Sequence, residues 1–242
     1  ATGASFSNDG TLKLQGGQTV TGLTVDPNSG IVYYDGSGTY ASGLAAGDSY
    51  YNLTFSGAGS WTLDAAPTIA NDLTLTQGTL DPAGYTIATT NDFIQNGGVI
   101  NTAGNVTINA TGDFNRTSGT ITTTGGNLVI TGANVTAGGI TVSGASKNIN
   151  ITANAASSSF VVNGDISVNS GSMTLMTDYR GTFNQTSGTI SSTSGAIYIR
   201  NSTFGFGQTG NSLTLGNVTS GAGLWVYYIP YAITINGNLS AA

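Results

Sequence analysis

Three aspartates recur at a fixed place in this chain. Asp72, Asp92 and Asp113 lie 20 and 21 residues apart, and each immediately precedes an apolar residue: Leu73, Phe93 or Phe114. Carboxylates stacked in one column repel, and Ca²⁺, which takes oxygen ligands, could bridge them. The same side chains can instead cap the N–H groups of a chain corner. The lack of a Gly-Gly-x-Gly-x-Asp repeat favours capping, so no cofactor is expected and Ca²⁺ is the one candidate. Catalytic chemistry is otherwise thin. With no histidine a Ser-His-Asp arrangement is impossible. With no cysteine there are neither disulfides nor thiolate metal sites. Asp178 with Arg180 is the nearest carboxylate–cation pair by sequence. One such pair falls short of the clustered carboxylates that polysaccharide-cleaving enzymes use. No Gly-rich stretch leads into a Lys-bearing helix, so there is no phosphate-binding loop. An enzyme is not expected.

Aromatic and hydroxyl side chains offer binding chemistry instead. Tyr33, Tyr34, Tyr40, Tyr50, Tyr51, Trp61 and Tyr85 fall in the first third, and Trp225, Tyr227, Tyr228 and Tyr231 near the end. Outward rings could stack on sugars, and alternation along a strand turns only one of each neighbouring pair inward. Plugging of the core is the competing use of these rings. The glycan-binding candidates are Tyr33, Tyr34, Tyr40, Trp61, Trp225 and Tyr228. Thr120-Ile121-Thr122, Asp165-Ile166-Ser167 and Thr189-Ile190-Ser191 present paired polar groups that could order water on ice. Thr79-Leu80-Asp81 and Val99-Ile100-Asn101 break that array, which favours plain solvated strand surface.

All these residues sit on a repeat. Leu80, Ile100, Ile121, Ile140, Ile166 and Ile190 each follow a Gly-containing pair, at spacings of 20, 21, 19, 26 and 24 residues. Ile87, Ile108, Ile130, Ile151, Leu175 and Ile199 keep step, as do Phe93, Phe114, Val135, Val162 and Phe183. The segments alternate apolar residues with Thr, Ser or Asn, which gives one buried and one wet face. A single turn cannot bury its apolar face alone, whereas turns stacked about 4.8 Å apart bury it against each other. Gly, Asn and Ser supply the corners. The prediction is an all-β, single-stranded, right-handed parallel β-helix with three short strands per turn of about 20–25 residues. About ten turns would make a rod on the order of 50 Å long. An antiparallel sandwich of the same composition is the alternative, disfavoured by three ladders in register.

Composition narrows the partners. Only 7% of the 242 residues are charged, against about 25% in ordinary globular chains. Net charge is −6 with five Lys and Arg in all, which excludes nucleic-acid binding. No apolar run approaches the roughly 20 residues of a membrane span. Ten Asn-x-Ser/Thr sequons occur, as expected by chance from so much Asn, Ser and Thr.

The whole of 1–242 reads as one solenoid domain. Residues 1–60 are less regular, with an excursion or capping element at 35–48 anchored by Tyr40 and Leu44. Residues 61–201 are regular coils, with wider loops around 155–159 and 177–181. Residues 202–242 are aromatic-rich turns without a visible polar cap. Ile233, Ile235 and Leu239 are therefore the self-association candidates, because an open apolar strand edge templates pairing. The expected partner is the next turn of a longer chain or another copy.

The runs Tyr50-Tyr51-Asn52-Leu53-Thr54-Phe55-Ser56-Gly57-Ala58-Gly59 and Asn71-Asp72-Leu73-Thr74-Leu75-Thr76-Gln77-Gly78-Thr79-Leu80-Asp81 carry a family resemblance. In composition and turn length the chain resembles repetitive bacterial surface and secreted proteins of the filamentous-haemagglutinin and autotransporter-passenger type. That resemblance implies a parallel β-helix outside the cell or on its surface, serving as a fibre, matrix or adhesin. It brings no catalytic residue. The expected function is a structural segment of such a fibre, self-associating through its ends or sides. An adhesin that binds glycans through exposed aromatics is the alternative, ahead of a polysaccharide-active enzyme or an ice-binding protein.

Overall fold

Short alternating segments separated by Gly, Asn and Ser become strands that pair turn on turn. A computed structural model describes residues 8–18, 27–178, 180–201, 212–227 and 232–241; among them there is no helix. The chain forms a parallel β-solenoid of about ten turns. Every strand pairing among the described residues is parallel and joins one turn to the next, which excludes the antiparallel sandwich.

Three ladders run along the rod. The first passes through Thr11–Leu14, Ile31–Tyr34, Asn52–Phe55 and Leu73–Leu75, and ends at Ser212–Leu215 and Ala232–Ile235. The second includes Ser60–Thr62, Thr79–Asp81, Ile140–Val142, Ile166–Val168, Thr189–Ser192, Asn217–Ser220 and Leu239–Ala241. The third runs from Ser49–Tyr50 through Val106–Ala110, Leu128–Gly132, Ile149–Ala153 and Met173–Thr177 to Gly223–Tyr227. Two long strands, Phe93–Thr102 and Phe114–Thr123, serve the first two ladders together, with register shifts where they bend between them.

Most inward rows stack similar apolar residues on one another. Leu80, Ile100, Ile121, Ile140, Ile166 and Ile190 are successive register partners, and all are fully buried. Ile87, Ile108, Ile130, Ile151, Leu175 and Ile199 form the second expected row without a break. The aromatic row differs at one place: Val135 pairs with Phe160 rather than Val162, and Phe160 with Phe183. Val162 points inward two residues further on, opposite Ala137. Parallel in-register pairing brings like rings together. Phe93 and Phe114 lie 5.2 Å apart and 5° from parallel, and Phe160 and Phe183 lie 5.0 Å apart.

The stretch 35–48 is not an excursion. Thr39–Tyr40 joins the second ladder beside Ser60–Thr62. Leu44 and Ala46 are buried in the core, and Tyr40 stacks on Trp61 with ring centroids 5.7 Å apart. The Ala46 N–H donates to the Tyr34 hydroxyl at 3.0 Å, and the Tyr50 hydroxyl donates to the Gly47 carbonyl. Tyr34 and Tyr50 hydroxyls also bond each other at 3.1 Å. Residues 154–158 and Asp178 lie at one corner, between the third ladder and the first, and Ser158 joins them. Its hydroxyl donates to Ala153 O at 3.0 Å and accepts from Asp178 N at 3.1 Å.

Asp48 gives this amino-terminal turn a pH dependence. Burial first, and then the Asp64 carboxylate, raise its pKa above the ordinary carboxylate value. The folded chain therefore holds this proton more tightly than the unfolded chain, and ionisation costs stability as pH rises out of the acid range. Asp48→Asn should raise Tm at pH 7 and leave it unchanged near pH 3, read from thermal melts at the two pH values.

Candidate functional site

The aspartate column exists, and its work is to cap corners. Asp72 Oδ1 accepts the Asp92 N–H at 2.9 Å, Asp92 Oδ1 the Asp113 N–H at 2.7 Å, and Asp113 Oδ1 the Asn134 N–H at 3.1 Å. Asn52 and Asn134 extend the same column, accepting from Asp72 N at 3.3 Å and Ser159 N at 2.8 Å. Each side chain reaches one turn along and satisfies a corner N–H that would otherwise stand unpaired. Asparagine serves as well as aspartate, so charge is not what the corner needs. A second such column, Asn105, Asn127 and Asn148, caps the entry to the third ladder. Among the described residues no group of three or more His, Cys, Asp or Glu is placed to hold a metal ion.

The sequence reading missed a corner clamp. Gln95, Arg116 and Gln185 point inward at one corner and are nearly fully buried. Each donates to the carbonyl of the glycine three residues on: Gly98 at 3.3 Å, Gly119, and Gly188 at 2.9 Å. They also reach other turns, through Thr120 O, Asn163 Oδ1 and Asn217 O. The signal was present as Phe-x-(Gln/Arg)-x-x-Gly-x-Ile at Phe93, Phe114 and Phe183. Burial pulls the Arg116 guanidinium below its usual pKa. Gln185 is fully engaged, with its Oε1 accepting Gly216 N at 2.9 Å. Gln95 Oε1 and Arg116 Nε find no partner among the described residues. Leu75 precedes Gln95 in the same row. Gln95→Leu should therefore change stability by less than about 1 kcal/mol, whereas Gln185→Leu should cost about 1–3 kcal/mol by orphaning Gly216 N–H. Urea unfolding of the two variants separates them.

The glycan-binding candidates divide by burial. Tyr34 and Trp61 are fully buried, which corrects their expected role: neither can offer a ring face to a ligand. Tyr40 is half-buried, with Trp61 on it and the Gly16 backbone so close that a Cβ there would meet the ring. A hollow of about 510 Å³ beside it is walled by Gly16, Gln18, Thr39, Ser42 and Ala45. Trp225 is exposed and stacks on Tyr198 at 5.1 Å. Tyr228 lies outside the described residues.

Tyr33 is half-buried and stands in an outward row with Lys13 on one side and Thr54, Thr74 and Ile94 on the other. Lys13 Nζ lies 6.0 Å from its ring centroid. Thr54 and Thr74 are shorter than the side chains flanking them, and a hollow of about 370 Å³ opens there. Its lining joins Tyr33 to Asn52, Asn71 and Asp72, so one aromatic candidate and one member of the aspartate column share a site.

The outward polar row is real. Thr122, Thr141, Ser167, Ser191, Thr219 and Ser240 are successive partners, and Asp81 and Asn101 interrupt it as expected. At the carboxyl-terminal side, Val226, Ile235 and Leu239 follow buried partners Ile199, Leu215 and Val218. They are themselves 39%, 55% and 38% exposed. The Ile233 backbone pairs with Leu213, and its side chain lies outside the described set. No helix among the described residues is long and apolar enough to cross a membrane.

No family model, curated protein or solved structure matches the chain.

Proposed function

We propose that the chain is a non-catalytic structural segment of an extracellular or cell-surface fibre, of the filamentous-haemagglutinin or autotransporter-passenger type. The observation that carries this reading is the core itself. Three parallel ladders continue in register to the last described turn, where Val226, Ile235 and Leu239 continue buried rows yet stand exposed. Such an edge templates pairing, and a second copy stacked on it would cover these side chains. The wet face supports a scaffold too, being Thr, Ser and Asn with few charges.

The reading predicts that electron microscopy of the assembly isolated from its source shows rods joined along the ladder axis. Isolated monomers with nothing against either end would overturn it.

A further inference from the structure

We infer that the hollow beside Tyr33 is a binding subsite for a neutral sugar unit of a glycan chain. A pyranose has an apolar C–H face and a rim of hydroxyl groups, and binding it takes an aromatic face beside hydrogen-bonding groups. Both are present. Lys13 lies toward one side of the Tyr33 ring, in the preceding turn. On the other side Thr54 and Thr74, in register with Tyr33, are too short to fill the space. The hollow's volume falls at the small end of ligand pockets.

Its polar lining is fixed in place before any ligand arrives. Asn71 Nδ2 donates to Asn52 Oδ1 at 2.8 Å and to Asp72 Oδ2 at 3.3 Å, and Asn52 Nδ2 donates to Gly30 O at 3.1 Å. Thr54 is buried, whereas half-buried Thr74 has a hydroxyl that makes no hydrogen bond within the described residues, and Asp72 Oδ2 accepts only that one long bond. These groups are left to meet sugar hydroxyls, and preorganised groups lose little entropy on binding. The Asp72 carboxylate selects the class: it accepts from neutral polyols and repels uronate or sulfated sugars.

The test is isothermal titration of the chain with three probes: cello-oligosaccharides, N-acetylchito-oligosaccharides and, as the acidic counter-probe, oligogalacturonate. Saturable binding of a neutral probe with none of the acidic one is expected. Tyr33→Ala should weaken it by on the order of tenfold or more, as loss of one good contact does. Asp72→Asn should weaken it as well without harming the fold, since Asn52 and Asn134 already cap this same column as asparagines. Thr74→Trp, which fills the hollow, should abolish it, and Tyr85→Ala, at an exposed ring elsewhere, should change nothing. The inference is overturned if no neutral probe binds, if oligogalacturonate binds as well, or if Tyr33→Ala and Thr74→Trp, folded by circular dichroism, bind as the parent does.

Discussion

Phe114→Ala should lower the unfolding free energy by about 4 kcal/mol. Phe114 is fully buried and packs against Phe93 of the turn before, with Val135 of the turn after as its register partner. The ring pair adds about 1 kcal/mol beyond its buried area. A solenoid gives this cavity nowhere to collapse, because the turns on both sides hold the spacing through backbone hydrogen bonds. Each turn contacts only its neighbours, so hydrogen exchange should quicken most in the strands around Phe93 and Val135. Asn115→Ala, one residue on and outward, should stay within about 0.5 kcal/mol. A uniform loss of protection along the rod would show that the turns are not energetic neighbours in this sense.

Gly119→Val should be about as damaging, at roughly 3–5 kcal/mol, from a left-handed backbone and overpacking together. Gly119 has φ +88°, and a Cβ there would lie against the carbonyls of Gly97 and Gly98 and 2.7 Å from Gln95 Nε2. Those atoms belong to the previous turn and cannot move without opening the ladder. The damage should appear as a lower urea midpoint, and Thr117→Val, on the exposed side of the same corner, should leave the unfolding free energy within about 0.5 kcal/mol of the parent.

Most of the fold was legible because a solenoid writes its register into sequence spacing. The isoleucine rows could be read directly, since the same residue type recurs wherever the same inward slot recurs. The aromatic row shows the limit. Phe160 and Val162 both point inward on one strand, and spacing alone could not choose between them once the turn had lengthened near 155–159. The segment 35–48 was misread for a related reason: its one strand, Thr39–Tyr40, is too short to carry a pattern of its own, and pairing with Ser60–Thr62 makes it a strand. The buried Gln and Arg clamps were overlooked because polar residues on an inward row break the rule used to find rows.

The candidate site was half legible. Aromatic and aspartate positions were visible one by one, but parity decides burial. Tyr33 and Tyr34 are neighbours in sequence, yet one faces a hollow and the other fills the core. That Tyr33 and Asp72 meet follows from one ladder carrying both Ile31–Tyr34 and Leu73–Leu75, two turns apart.

Sedimentation velocity of the parent chain, Ile235→Lys and Thr234→Lys across a wide concentration range tests the fibre reading most directly. Ile235 follows buried Leu215 in an inward row and is 55% exposed, while Thr234 is its outward neighbour. A lysine at 235 places an unpaired charge in the stacking edge; at 234 it meets only water. The parent and Thr234→Lys should associate end to end as concentration rises, and Ile235→Lys should need at least about tenfold more protein to do so. A parent chain that stays monomeric throughout, or two lysine variants that associate alike, would contradict the reading.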